Sequence, residues 1–66
     1  MRVTVNGETR DFHAARTVAE LVTSLGLDAR KVAVELNLAI VPRSAYLSTL
    51  VVDGDRVEIV HFIGGG

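Results

Sequence analysis

The sequence contains no cysteine, no tryptophan, a single proline and only three aromatic residues. Without cysteine the chain has no disulfide, no thiol nucleophile and no thiolate metal ligand. Aromatic residues make up 5% of the chain, too few to build the stacking platforms on which proteins bind single-stranded nucleic acid. Seven basic and eight acidic residues give a formal net charge of −1. The strongly basic surface of a nucleic-acid-binding domain is therefore missing as well.

Long apolar runs are also absent. No stretch approaches the roughly 20 residues of a membrane span, and the first residues lack the apolar segment of a signal peptide. The 66 residues, 48% of them hydrophobic, predict one domain, 1–66, without a deep catalytic cleft. We therefore expect a soluble, cytoplasmic protein that is monomeric when free and binds neither nucleic acid nor membranes.

Alternation of apolar and polar residues predicts strands in both halves of the chain. The predicted strands cover residues 1–5, 9–13, 32–37, 38–41 and 56–63. Asn6-Gly7, between the first two, is a strong signal for a two-residue hairpin turn because both positions tolerate a positive φ. A further turn is expected at residues 53–55. Pro42 ends the fourth strand, because proline has no amide to continue it.

One helix is expected, over residues 18–25. Thr17 and Glu20 have the spacing of a capping box, apolar residues then recur at helical spacing, and Gly26 is placed to end the helix in a left-handed conformation. The order of elements predicts an α+β domain in which a mixed sheet of four to five strands packs on one main helix.

Two segments in the second half are expected to complete the domain. Residues 43–50 predict a short turn or 3₁₀ connection in which Leu47 and Leu50 close the core. In the last strand, Val57 and Ile59 are expected to point inward.

Glu58, Val60 and Phe62 then lie on the opposite face of the last strand. There Val60 and Phe62 form an exposed apolar patch, and contiguous apolar surface is typical of partner sites. We interpret Glu58, Val60 and Phe62 as a docking surface for a partner.

Five segments, taken in order, are similar to one known family over essentially the full length. They are residues 3–7, 17–22, 34–37 with 40–43, 53–59, and 62–66. Together they resemble the ThiS family, the sulfur carriers of thiamine (thiazole) biosynthesis. The resemblance implies a β-grasp, ubiquitin-like fold. It also implies a carrier that is not an enzyme, with no catalytic residue, no metal site and no bound cofactor.

Gly64, Gly65 and Gly66 are expected to be a flexible tail that threads the active site of a partner, since glycine has no side chain. The α-carboxylate of Gly66 is ionised at neutral pH and is a poor electrophile, so chemistry there needs activation. The chain has neither of the glycine-rich phosphate-binding motifs, GxxxxGK[ST] or GxGxxG. The activating site therefore belongs to a partner.

The resemblance names the partners and the chemistry. An ubiquitin-activating-like adenylyltransferase of the ThiF type uses ATP to adenylate Gly66. A persulfide donor then supplies sulfur, Gly66 becomes a thiocarboxylate, and thiazole synthase of the ThiG type accepts the sulfur.

Two alternatives stay open. The small subunit of molybdopterin synthase carries sulfur in the same way, although residues 40–43 fit the thiamine family better. The other alternative is a ubiquitin-like interaction module or protein modifier, which is conjugated to lysines.

Overall fold

The computed structural model describes residues 1–14 and 16–62. Seven strands and one α-helix lie in this part of the chain: β1 (Arg2–Val5), β2 (Glu8–Asp11), β3 (Arg16–Thr17), α1 (Val18–Ser24), β4 (Val32–Leu36), β5 (Ala39–Val41), β6 (Leu50–Val51) and β7 (Arg56–His61). Two 3₁₀ turns, Ala29–Lys31 and Arg43–Ala45, connect them. The predicted tail, Gly64 to Gly66, lies outside the described residues.

Five of the strands form one mixed sheet in the order β2-β1-β7-β4-β5. β1 and β7 are parallel, and the other neighbours are antiparallel. β7 is thus the central strand, with the β1–β2 hairpin on one side and the β4–β5 hairpin on the other. The predicted α+β architecture, with a mixed sheet and one main helix, is confirmed.

The helix begins where the capping box predicts. The Thr17 hydroxyl accepts a hydrogen bond from the Glu20 amide at 3.1 Å, and the Glu20 carboxylate accepts one from the Thr17 amide at 2.8 Å. Gly26 follows the helix with a φ of +78°, the left-handed conformation that glycine adopts at little cost.

One face of α1 packs against the inner face of the sheet. Alternate strand residues point inward, as the period of two requires. The buried core consists of Val3, Val5, Val18, Leu21, Val22, Val32, Val34, Val41, Tyr46, Val51, Val57 and Ile59. The predicted inward positions of Val57 and Ile59 are therefore confirmed.

The connection between β5 and β7 differs from the prediction. Leu47 and Leu50 are 82% and 54% exposed, so the expectation that they close the core is wrong. Tyr46 and Val51 are buried there instead, and the Tyr46 hydroxyl donates a hydrogen bond to the Val32 carbonyl at 3.1 Å. The pairing of β3 with β6, which the sequence did not indicate, fixes this arrangement.

Two hairpins have turns of the same backbone form. In the β1–β2 turn, Asn6 and Gly7 have φ values of +49° and +82°; in the β4–β5 turn, Asn37 and Leu38 have +50° and +71°. Each two-residue turn with positive φ at both positions favours Asn-Gly. The second turn therefore has leucine where glycine is preferred.

Both turn asparagines also extend the pairing of β7. Asn6 accepts a hydrogen bond from the Ile59 amide at 2.7 Å and donates one to the Ile59 carbonyl at 3.2 Å. Asn37 accepts from the Arg56 amide at 2.9 Å. The side chains thus satisfy backbone groups of β7 on both of its edges.

Candidate functional site

The outer face of the sheet, opposite the helix, carries a shallow groove of about 280 Å³. The groove runs over β4, between side chains of β5 and β7. Ala33 on β4 pairs with Val60 on β7, and its single methyl group leaves room between the larger neighbours. The side chains of Ile40, Pro42 and Phe62 also line this groove.

Large apolar side chains on this face are exposed. Ile40 is 77% exposed, Val60 is 62% exposed and Phe62 is 42% exposed. Exposed apolar side chains that line one groove are typical of an interaction site. The predicted exposure of Val60 and Phe62 on one patch is thus confirmed, whereas their role in docking stays a prediction.

Two acidic side chains stand at one end of the groove. Glu58, the third residue predicted for docking, lies directly opposite Glu35 in the β4–β7 register, and both are half-buried. Like charges directly opposite one another in a sheet are destabilising. No signal in the sequence marks Glu35 as a site residue, because its proximity to Glu58 depends on the register between β4 and β7.

No intramolecular ion pair compensates this acidic pair within residues 1–14 and 16–62. The ion pairs in that part of the chain are Arg2–Asp11, Arg10–Glu8 and Arg30–Asp28. Arg43 lines the same groove but forms no ion pair with either glutamate. The groove therefore combines an apolar floor with two carboxylates, neither of which forms an ion pair among the described residues.

The groove includes Phe62, the last residue that the structure describes. Beyond β7, the Phe62 amide donates a hydrogen bond to the Lys31 carbonyl at 2.8 Å. This bond holds Phe62 beside the start of β4. Gly64, Gly65 and Gly66 follow within four residues in the sequence, although they lie outside the described residues.

Two carboxylates whose pKa values are lowered, those of Asp28 and Glu20, lie outside the groove. The Arg30 side chain and amide donate hydrogen bonds to Asp28, which lowers the pKa of Asp28 from 3.8 to about 2. The hydrogen bond from the Thr17 amide is the main cause that lowers the pKa of Glu20 from 4.5. The hydrogen bonds of Asp28 stabilise the start of the 3₁₀ turn Ala29–Lys31, and those of Glu20 stabilise the start of α1.

The described residues contain no cluster of three or more histidine, cysteine, aspartate or glutamate side chains suited to a metal ion. His13 and His61 therefore have no partners for metal binding in that part of the chain. Within the same residues, no helix has the length and apolar character needed to cross a membrane.

The chain is similar to known proteins over nearly its whole length. The ThiS family profile matches residues 3–66. The chain belongs to the ThiS family. It is 32% identical over 66 residues to the sulfur carrier protein ThiS of Escherichia coli, with both chains covered completely.

The β-grasp expectation is confirmed by a solved ThiS structure. The crystal structure of the thiamine biosynthesis protein ThiS from Geobacter metallireducens superposes with a TM-score of 0.86 at 40% identity, over 100% of both chains. The resemblance to the ThiS family inferred from the five segments is confirmed as well.

A second kind of relative is much longer. The chain is 58% identical over all its 66 residues to a thiazole synthase of Paramagnetospirillum magneticum. It spans 20% of the length of that protein, and 20% of a thiazole synthase of Magnetococcus marinus to which it is 42% identical. A segment similar to this whole chain is thus found within two longer proteins that are named thiazole synthase.

Proposed function

We propose that this protein carries sulfur for the synthesis of the thiazole of thiamine, on the carboxylate of Gly66. Membership of the ThiS family over residues 3–66 is the observation that supports this most directly. The relative from Escherichia coli is named a sulfur carrier protein and matches end to end. The protein acts as a co-substrate of partner enzymes rather than as an enzyme.

The proposed reaction begins with activation of Gly66. Its carboxylate oxygen attacks the α-phosphorus of ATP on an adenylyltransferase of the ThiF type, which forms the acyl adenylate and releases pyrophosphate. A persulfide then attacks the acyl carbon and releases AMP. A thiol cleaves the resulting acyl disulfide, which leaves the thiocarboxylate on Gly66 and a disulfide on the donor side. No cofactor is bound to the carrier, because ATP is used by the partner.

Delivery of Gly66 depends on two proposed features. Residues 1–66 act as a single domain, and Gly64 and Gly65 form a tail slender enough to enter a narrow active site. Glu58, Val60 and Phe62 then dock the partner beside this tail. The exposure of Val60 and Phe62 in one groove supports this assignment, because Phe62 precedes Gly64 by only two residues in the sequence.

Thiazole synthase of the ThiG type is the proposed acceptor of the sulfur. The support is the occurrence of a domain 58% identical to this chain within a protein named thiazole synthase. This thiamine function is favoured over the role in molybdopterin synthase, because the relatives that match the whole chain are named for thiamine proteins.

Intact mass spectrometry tests the proposal. The protein is incubated with ATP, the ThiF-type adenylyltransferase of the same organism and a persulfide source. The expected product has one oxygen replaced by sulfur, and it disappears when Gly65 and Gly66 are deleted. A matched control, Glu8→Gln on the outer strand β2, is expected to react as the unaltered protein does.

Other results would contradict the proposal. High-mass adducts on lysines, without the replacement of oxygen by sulfur, would indicate a protein modifier. A thiocarboxylate that transfers sulfur to the large subunit of molybdopterin synthase, but not to thiazole synthase, would indicate the alternative carrier function. Thiazole formation that persists without Gly65 and Gly66 would exclude both carrier functions.

A further inference from the structure

The turn between β1 and β2 contains an asparagine that is followed by glycine. Of the two asparagines in the chain, Asn6 precedes Gly7 and Asn37 precedes Leu38. In an Asn-Gly pair the backbone nitrogen of the glycine can attack the side-chain carbonyl carbon of the asparagine, because glycine has no side chain to obstruct the approach. Gly7 is exposed, and the space where a Cβ would stand is open. The turn therefore has both the residues and the room for this attack.

The reaction is deamidation, and water is its only co-reactant. The Gly7 nitrogen forms a bond to Cγ of Asn6 and passes its proton to the side-chain nitrogen, which leaves as ammonia. The product of this step is a cyclic succinimide. Water then adds to one of the two succinimide carbonyls and breaks its bond to the ring nitrogen. Aspartate results, or isoaspartate, in which the backbone passes through the side-chain carboxyl carbon.

Two hydrogen bonds hold the Asn6 side chain on β7 in the folded protein. Its Oδ1 accepts from the Ile59 amide at 2.7 Å, and its Nδ2 donates to the Ile59 carbonyl at 3.2 Å. A side chain that is bonded to β7 through both of its polar atoms has to leave β7 before it can close a ring with its own chain neighbour. Both bonds must therefore break before Gly7 can attack.

We infer that Asn6 is a deamidation site controlled by the fold: it reacts only when its side chain leaves Ile59, and the product weakens the attachment of β7 to β1. The backbone pairing of the two strands ends at Val5 and Val57, and the Asn6 side chain continues it. Aspartate has no proton to donate to the Ile59 carbonyl. Isoaspartate adds one carbon to the turn backbone, which displaces the side chain from β7.

The β4–β5 turn provides a contrast within the same molecule. Asn37 and Leu38 have the same backbone form as the first turn. The Asn37 side chain likewise bonds to its surroundings, since it accepts from the Arg56 amide at 2.9 Å and donates to Asp55 at 3.1 Å. Leu38 is strained at a φ of +71° and is 78% exposed, but its side chain obstructs attack by its own nitrogen. Of the two turns, only the one with Asn6 is therefore reactive.

The test compares deamidation in the folded and the unfolded full chain. Samples are kept at neutral pH and one temperature, either without urea or in urea that unfolds the chain, and both asparagines are followed by peptide mass spectrometry. Because two hydrogen bonds must open, Asn6 is expected to react at least about fivefold more slowly in the folded protein than in urea. Asn37 is expected to react far more slowly than Asn6 in urea.

Leu38→Gly is the matched variant, because it creates a second Asn-Gly pair in a turn whose positive φ suits glycine. In urea, Asn37 of this variant is expected to deamidate at about the rate of Asn6. In the folded variant, the hydrogen bonds of Asn37 are expected to slow the reaction, as the bonds to β7 slow it at Asn6. The variant is expected to be more stable than the unaltered protein, so its new reactivity cannot come from unfolding.

The consequence for the fold is measured on the products. The isoaspartate form, separated by ion exchange, is expected to unfold at a lower urea concentration than the unaltered protein. Its Ile59 amide is expected to exchange hydrogen faster, because that amide has lost its acceptor. Asn6→Asp reproduces the other product and is expected to lower the urea midpoint as well. Glu8→Gln, beside the turn, is the control and is expected to keep the midpoint.

Equal rates at Asn6 in the folded and the unfolded chain would overturn the inference, and so would an Asn6 that does not react in urea. Deamidation of Asn37 as fast as that of Asn6 in the unaltered protein would refute the role of glycine. An isoaspartate form with unchanged stability and unchanged exchange at Ile59 would refute the effect on β7. None of these assays involves Gly66, so their outcome is independent of the proposed function.

Discussion

Replacement of Leu38 by glycine is expected to stabilise the fold, although it removes an apolar side chain. The left-handed conformation costs a non-glycine residue roughly 1–2 kcal/mol, and glycine does not incur this cost. The greater freedom of glycine in the unfolded chain opposes the gain by about 0.4–1 kcal/mol. Because Leu38 is mostly exposed, little burial is lost. The difference predicts a net stabilisation of roughly 0.5–1 kcal/mol.

Thermal and urea unfolding followed by circular dichroism measure this change. For a domain of this size, 1 kcal/mol corresponds to about 4–8 °C in Tm, so a gain of roughly 2–8 °C is expected. Leu47→Gly is the control, because Leu47 is also exposed but has no positive φ. It is expected to lose about 0.4–1 kcal/mol through unfolded-chain entropy alone. If both variants were destabilised to the same extent, the assignment of strain to Leu38 would be refuted.

Three further predictions concern hydrogen bonds outside the groove. Asn6→Gly keeps the turn conformation but removes two side-chain bonds to β7, so it is expected to cost about 1–3 kcal/mol in urea unfolding; an unchanged midpoint would contradict this. Thr17→Ala removes the helix cap and is expected to cost about 1 kcal/mol, whereas Thr17→Ser retains the hydroxyl and most of the stability. Because the pKa of Asp28 is lowered from 3.8 to about 2, its contribution is complete above pH 4 and is lost as the pH falls toward 2. Asp28→Asn should therefore flatten the urea midpoint over that range, and an unchanged acid profile would refute the assignment.

Local signals in the sequence were sufficient for the first hairpin and the helix. The Asn6-Gly7 turn and the Thr17–Glu20 cap each depend on residues that are adjacent or one helical turn apart. Their geometry is fixed by short-range sterics and hydrogen bonds, which can be predicted from the types of neighbouring residues. The β4–β5 turn lacked the glycine that marks such a turn, so the sequence did not indicate it.

Long-range pairing explains the wrong prediction for Leu47 and Leu50. Residues 43–51 contain apolar side chains at several spacings, and periodicity alone does not decide which of them are buried. Contacts with α1 decide which of these side chains are buried. The Val18 amide donates a hydrogen bond to the Thr49 carbonyl, and the Ala19 amide donates one to the Tyr46 carbonyl. Two-residue strands such as β3 and β6 are too short to show a period at all.

The same argument applies to the groove. Alternation along β7 was enough to predict that Val60 and Phe62 are exposed, since the period of a single strand decides it. The opposition of Glu35 and Glu58 depends on the register between β4 and β7, which no single strand contains. The sequence could thus indicate the apolar patch and Glu58 beside it, but not that Glu35 lies opposite Glu58.

The two faces of the sheet differ in what stabilises them. On the inner face, each apolar side chain is covered by α1 or by the connection that contains Tyr46. On the outer face, an opposed carboxylate pair and exposed apolar groups each cost free energy in the isolated domain. Neighbouring residues of β7 are therefore expected to respond in opposite ways: truncation of Ile59 should lower stability, whereas truncation of Val60 should leave stability nearly unchanged and weaken binding. This division follows the pleat of the strand, so the same periodicity that builds the core also exposes the surface that is proposed for docking.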